Sequence, residues 1–325
     1  GSGSVAADTP GLFWCWPFVV LLLAIALFPL VPGLSHWWES NRNKLLVSLF
    51  LAGVVCAHHF LRTAGPDAPQ GAAAVTLLLH HSLINDFIPF IILLFSLYTI
   101  SGGIRLQGDI PAHPITNAGF LLLGAVLANI IGTTGASVLL VRPLLQINSE
   151  RKNTTHTFVF FIFLVSNIGG CLLPIGDPPL FLGYLRGVPF LWTLRLLPLW
   201  IATVGAVLAV YLVLEVNAYK KERREDIRLD ETQVTPLKLD GKFNFALLAG
   251  VVLAVAVLVP GEKLPLLSWT LPNVYLRETV LLALAGLSLL RTPREIHRYN
   301  EFSFGPIAEV ACLFVGIFIT MQIPI

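Results

Sequence analysis

Apolar residues fall in long blocks along this chain, separated by short polar stretches. A helix needs about 20 mainly apolar residues to cross the hydrocarbon core. Full spans are predicted at 12–33, 44–62, 72–100, 191–217, 243–260 and 305–325, with a shorter, tilted one at 277–290. Two regions break the rhythm. At 115–147 the polar, glycine-rich run Asn129-Ile-Ile-Gly-Thr-Thr-Gly-Ala136 splits the apolar stretch into two arms of roughly 15 residues, each roughly 22 Å long. Arms that short predict a re-entrant helical hairpin, turning at Gly132–Gly135, rather than two crossings. The run at 155–190 is interrupted by Ser166-Asn-Ile-Gly-Gly170 and by Pro174-Ile-Gly-Asp-Pro-Pro179, and its summed length suits one discontinuous span. Lipid cannot satisfy open backbone, so both interruptions must be enclosed by protein or line a watery cavity.

Composition agrees with the pattern. Of 325 residues, 55% are hydrophobic and only 12% charged, against about 25% charged in an average soluble domain. The expected class is an all-α polytopic membrane protein, because a soluble core would need many helices that are apolar on every side. The net charge of +2 decides little, but its distribution matters. With 115–147 as a hairpin and 155–190 as one broken span, the loops 35–44, 101–114, 148–156, 218–242 and 291–304 share a side. They carry Arg42, Lys44, Arg105, Arg151, Lys152, the cations of 220–242, Arg291, Arg294 and Arg298. The opposite loops carry only Arg62, Arg186, Lys263 and Arg277. The first side is therefore expected to be cytoplasmic, in a multi-pass protein of the inner membrane. Segment 218–242 mixes both signs and reads as a solvated cytoplasmic linker, with a membrane-lipid headgroup or partner site as the competing reading; the basic clusters set topology and do not indicate nucleic acid. Residues 1–11 read as a leader or tag, and 260–272, with Trp269, as an external interfacial segment.

Candidate chemistry concentrates at the two interruptions. Asn129, Thr133 and Thr134 offer side-chain oxygens at the hairpin tip, and Gly132 and Gly135 free the backbone to turn. Such oxygens, with unwound carbonyls, suit a hard, weakly bound cation such as Na⁺. The start of the second arm, near Ala136, would favour an anion. A plain membrane turn with glycines for close packing is the competing reading. In the second interruption stand Ser166, Asn167, Gly169, Gly170 and Asp177. An ionisable residue at membrane depth is a functional candidate by default, as cation ligand or proton carrier, although Asp177 would also suit the cap of a helix beginning at Pro178. Asp86, in His80-His81-Ser-Leu-Ile-Asn-Asp86, is a candidate proton relay or a polar packing contact. His58 and His59 lack further ligands for a metal, and the four cysteines show neither metal nor disulfide spacing. With no phosphate-binding loop, hydrolase elbow or zinc motif, no enzyme and no cofactor beyond a coupling Na⁺ or H⁺ is expected.

The two motifs together resemble the ion transporter superfamily, in its citrate-transporter-like and sodium/proton antiporter branch. The similarity rests on Asn129 to Ser137 followed by Arg142-Pro143, then Ser166 to Gly170 and Pro174 to Gly183, and extends from about Asn85 to the C-terminus. It implies two inverted repeats, each with a re-entrant hairpin and a discontinuous helix. Ions would bind between the hairpin tip (Asn129, Thr133, Thr134) and the broken helix (Ser166, Asn167, Gly169, Gly170). It also implies a dimer whose transport unit moves against a scaffold. On this frame 12–101 is scaffold, 102–217 the first-repeat transport unit, 218–242 a linker, and 243–325 second-repeat scaffold lacking its own polar-tipped hairpin, as in a truncated chain. The expected function is secondary active transport coupled to Na⁺ or H⁺, as antiport. Two alternatives are a sodium-coupled carriage of a citrate-like carboxylate and a non-transporting subunit of a membrane complex.

Overall fold

A computed structural model describes residues 12–62, 69–232, 234–259 and 275–323. The leader at 1–11 and the Trp269 segment lie outside the described residues. The α-helices are α1 (Trp16–Leu27), α2 (Leu34–Trp38), α3 (Asn41–Leu61), α4 (Ala72–Leu79), α5 (Ile88–Ser101), α6 (Pro114–Ile147), α7 (Thr155–Phe161), α8 (Pro178–Leu185), α9 (Leu197–Tyr219), α10 (Arg224–Thr232), α11 (Phe243–Val257), α12 (Leu276–Arg291), α13 (Arg294–Tyr299) and α14 (Gly305–Thr320). Strands β1 (Arg105–Asp109) and β2 (Thr235–Asp240) are the only sheet among the described residues. The protein is an all-α polytopic membrane protein: among the described residues, five helical runs have the length and composition to cross a bilayer. The chain divides into two compact units, residues 1–91 with 303–325, and residues 92–302.

In the first unit, α14 lies on α3 at small residues. A Cβ on Gly316 would stand 2.6 Å from the Cβ of Ser48 and 2.8 Å from its Cα, so the two backbones meet closely. Ala52, Val55, Leu78, Ile319 and Ile323 form the core beside this crossing, and Phe90 stacks on Phe314 with ring centroids 4.9 Å apart. Lys44 is not a loop cation: it sits within α3, buried, and pairs with Glu309 at 2.5 Å. Its long apolar stem crosses packed helix surface to reach that carboxylate.

The second unit is built around α6. One residue inside it, Gly132, leaves helical geometry (φ 75°, ψ 156°), a conformation that costs a residue with a Cβ far more than glycine. Asn117, near the start of α6, and Asn148, just past its end, exchange two amide hydrogen bonds of 2.8 and 3.0 Å. A straight helix would hold those residues about 46 Å apart. The helix therefore folds back at Gly132 into two antiparallel arms, despite a length that would cross the membrane. The turn is at Gly132 alone. Gly135 is helical, and its missing side chain admits Ser101, whose Oγ would lie 2.9 Å from a Cβ there.

The arms enclose a broken helix. From α7 the chain continues as a π-helical stretch (Ile162–Asn167) and a 3₁₀ turn (Ile168–Gly170), runs irregularly through 171–177, and resumes as α8 on Pro178 and Pro179. Close approach explains two of the glycines. A Cβ on Gly124 would be 2.5 Å from Val165 Cγ2, and one on Gly169 would be 2.9 Å from the Cα of Ala125. Leu121, Ala125, Ala128, Leu140, Leu164 and Val165 are wholly buried along this contact.

Segments 101–114 and 218–242 are more ordered than loops. β1 and β2 pair antiparallel, with an irregularity between Gln107 and Asp109. Gly108 there has φ 134°, and Leu237 of the partner strand passes where its Cβ would be. Arg105 bridges the strands to Asp240 at 2.5 Å. β1 lacks the apolar alternation that marks a strand in sequence, and β2 shows it only over Leu237-Lys-Leu-Asp240.

Two outcomes follow from these contacts. Gly169→Val overpacks against backbone and should cost about 1–3 kcal/mol, lowering the thermal unfolding temperature in detergent. Gly205→Val in α9, with no atom within 4 Å of the added Cβ, should leave it unchanged. The hydrogen bond from Arg105 holds the Asp240 carboxyl below its ordinary range. A depressed carboxylate stabilises the fold above the ordinary value of about 3.9 and loses that contribution as pH falls through the depressed value. Amide exchange of β1 should accordingly stay protected at mildly acidic pH and rise only below it, and Arg105→Gln should move that rise upward.

Candidate functional site

Backbone at the break has no helical partners, and neighbouring elements supply them. The Asn129 amide is engaged through both its nitrogen and its oxygen: Nδ2 donates to Ala125 O at 3.1 Å, and Oδ1 accepts from Leu172 N at 2.8 Å. Thr193 Oγ1 donates to Leu172 O at 2.8 Å. Trp200 Nε1 is shared between Ile168 O and Gly169 O, at 3.0 and 3.2 Å. Thr133 N, the first donor of the second arm, bonds Gly176 O at 3.2 Å and so docks the hairpin tip on the irregular segment. Ser166 Oγ pairs with Ser137 Oγ at 2.8 Å, and Ser137 in turn reaches Thr133 O at 2.7 Å. Gly170 and Gly176 touch one another, and Gly170 also faces Thr133, leaving no room for a side chain at either.

The candidate residues therefore sort into two groups. Asn129 and Ser166 spend their side chains on the protein itself, while Gly132, Gly169 and Gly170 give backbone shape and Gly135 gives packing. Thr133, Thr134, Asn167 and Asp177 make no side-chain hydrogen bond among the described residues. Asp177 occupies the position before α8, and its carbonyl accepts from Leu180 N and Phe181 N, but its half-buried carboxylate does not cap the helix. Thr134 and Asn167 are exposed and Thr133 is half-buried. Asp86 lies in the other unit, on a π-helical stretch (His80–Phe87). It is buried, accepts from Gln322 Nε2 at 3.0 Å and stands 3.9 Å from His81 Nδ1. Arg142 is engaged by Glu301 at 2.7 Å. No group of three His, Cys, Asp or Glu able to hold a metal occurs among the described residues.

Sequence reasoning passed over a charged cluster at the base of the hairpin. Arg151, expected in a solvated loop, is buried. Its Nη1 pairs with Glu215 Oε1 at 2.5 Å and donates to Ala112 O at 3.0 Å. Glu215 also accepts from Asn117 Nδ2 at 3.1 Å and meets His156 Nε2 at 2.6 Å. The guanidinium lies over the Tyr219 ring, 5.1 Å from its centroid. Glu222 receives the backbone N–H groups of Lys152 and Asn153, and Asp230 receives that of Ala112. Burial pushes the Asp230 carboxyl above its ordinary range, and the Ala112 N–H opposes the shift. One signal was available: Glu215 is a lone carboxylate in the apolar run Tyr-Leu-Val-Leu-Glu-Val, and such a residue needs a buried partner.

A family model described as putative citrate transport matches residues 7–325. The chain belongs to that family. It is a multi-pass membrane transporter, and the hairpin and broken helix are its candidate site. Comparisons with curated proteins and with solved structures returned no match.

The base cluster yields a sharp expectation. Arg151→Met strands the Glu215 charge and should cost about 3–5 kcal/mol, whereas Arg151→Met with Glu215→Met should cost clearly less than the sum of the two single changes. Thermal unfolding of the four proteins in detergent measures that coupling.

Proposed function

We propose that this transporter is a cation-coupled secondary carrier whose coupling ion is held where the hairpin tip meets the broken helix. One observation carries the reading. Among polar side chains at the tip and break, those that brace backbone are distinct from those left without a protein partner, and the second group includes a carboxylate. Thr133, Thr134 and Asn167 supply neutral oxygens, and Asp177 supplies the charge that makes the site cation-selective. Filling the site with Na⁺, or protonating Asp177, removes an unpaired charge from a segment at membrane depth. That neutralisation lets the hairpin and broken helix move as a loaded unit, which is the coupling step. The exchange of Na⁺ for H⁺ on one carboxylate is antiport.

The family description favours a second cargo, a citrate-like carboxylate carried with Na⁺. The start of the second arm is a weaker anion site than its sequence suggests, because Thr133 N is already spent on Gly176 O. A carboxylate would therefore rely on the bound cation for charge balance.

Purified protein in liposomes tests both. Asp177→Asn should abolish Na⁺-dependent flux and the Na⁺-dependent rise in unfolding temperature. Asn129→Ala should lower stability without Na⁺ by about 1–3 kcal/mol, the cost of an unpaired Leu172 N–H. A native Na⁺ response in Asp177→Asn overturns the assignment. Labelled citrate uptake driven by Na⁺ selects the carboxylate cargo; Na⁺-driven internal alkalinisation without citrate selects antiport.

A further inference from the structure

The segment that follows α9 looks electrically neutral in sequence. Residues 220–232 hold five cations (Lys220, Lys221, Arg223, Arg224, Arg228) and five acids (Glu222, Glu225, Asp226, Asp230, Glu231). The fold separates the signs. On α10, Asp226 and Asp230 stand four residues apart on one face, and Glu222, just before the helix, turns the same way. Glu222 is buried on the N–H groups of Lys152 and Asn153, Asp230 is buried on that of Ala112, and Asp226 stands 3.6 Å from Lys152. Each acid on this face is spent on the hairpin base. All five cations are exposed, and none has an ion-pair partner among the described residues. Only Glu225 and Glu231 remain exposed beside them. The outward surface is therefore strongly positive although the segment is not.

We propose that this surface docks acidic phospholipid headgroups of the leaflet at which α9 ends. Position and chemistry both favour that occupant. Lys220 and Lys221 follow directly on the apolar α9, within the headgroup layer that flanks the hydrocarbon core. Basic clusters beside a spanning helix attract anionic lipid, each cation adding to the binding. Arg224 and Arg228 lie one turn apart and flank Ile227 around a shallow open depression. Leu229 beside them is 47% exposed, an apolar foothold next to the charges. Because the same helix is fastened through Asp230 to Ala112, two residues before the hairpin begins, lipid bound here bears on the fixed end of the hairpin.

The full-length protein in neutral detergent, titrated with fluorescent phosphatidylglycerol or phosphatidylcholine, tests the assignment. Phosphatidylglycerol should bind about tenfold or more tightly than phosphatidylcholine, with the preference falling as salt rises. Arg224→Gln with Arg228→Gln should remove most of that preference while leaving the unfolding temperature unchanged, since neither side chain contacts the interior. Arg195→Gln, an exposed cation at the other end of α9, should retain it. Equal binding of the two lipids, an undiminished preference in the double variant, or full displacement of phosphatidylglycerol by an equal concentration of inorganic phosphate would overturn the proposal. The last result would indicate a site for a free anion instead.

Discussion

Open backbone at membrane depth has to find partners inside the protein, and the architecture of residues 92–302 follows from how it does so. A buried amide or carbonyl left without one costs about 1–3 kcal/mol, and the break between Asn167 and Pro178 would otherwise expose several. Their partners come from separate elements: Asn129 from the first arm, Thr133 N from the start of the second, and Thr193 and Trp200 from the entry to α9. Because one irregular segment needs all of them, it draws the hairpin and α9 together. Glycine makes this feasible. Gly124 and Gly169 let helix backbones approach until carbonyls and side-chain donors are within reach, and Gly132 turns the chain so that Thr133 N points at Gly176.

The opposite end of the hairpin is held by charge. Taking Arg151 and Glu215 out of water is expensive, and a buried pair is tolerated only when its remaining hydrogen-bonding capacity is met. Asn117, His156 and Ala112 O meet part of it, and the face of Tyr219 covers the guanidinium. The result fixes register more than it adds stability. Asn117 binds both Asn148 and Glu215, so the ends of the two arms and α9 have one mutual alignment in which every amide is used. A slip of either arm by one residue would strand a buried charge.

Much of this was legible in the sequence and some was not. Arm length against bilayer thickness pointed to a fold-back at 115–147, since two runs of about 15 apolar residues fall short of a crossing. The interruption at 166–179 was visible because proline and glycine in an apolar run have few other meanings. Side-chain roles were not visible. Asn129 and Asn167 look alike in sequence, yet one braces Leu172 and the other is exposed, a difference set by which face of each helix meets the break. Arg151 and Lys44 were counted as loop cations because charge in a loop is ordinarily solvated; their partners, Glu215 and Glu309, are 64 and 265 residues away. The strands at 105–109 and 235–240 were hidden for the same reason, since each pairs across more than a hundred residues, and only the four residues Leu237 to Asp240 alternate.

The two ends of the hairpin thus differ in how firmly they are held, and the difference bears on how such a device would work. At the base, moving an arm would separate a buried ion pair and several charged or amide hydrogen bonds at once. At the tip, the fastenings are the Asn129 side chain on Leu172 N at 2.8 Å, one backbone hydrogen bond at 3.2 Å and a pair of serine hydroxyls at 2.8 Å, all neutral. Neutral hydrogen bonds contribute about 0.5–1.5 kcal/mol each, which is the range a single bound cation or proton can offset. On the proposed function, an ion at Asp177 therefore acts on the weakly held end of a rod whose other end is pinned. Ion occupancy would change how the tip sits on residues 171–177 without disturbing the alignment of α6 with α9. That asymmetry allows the site to respond to an ion while the surrounding helices remain one packed body.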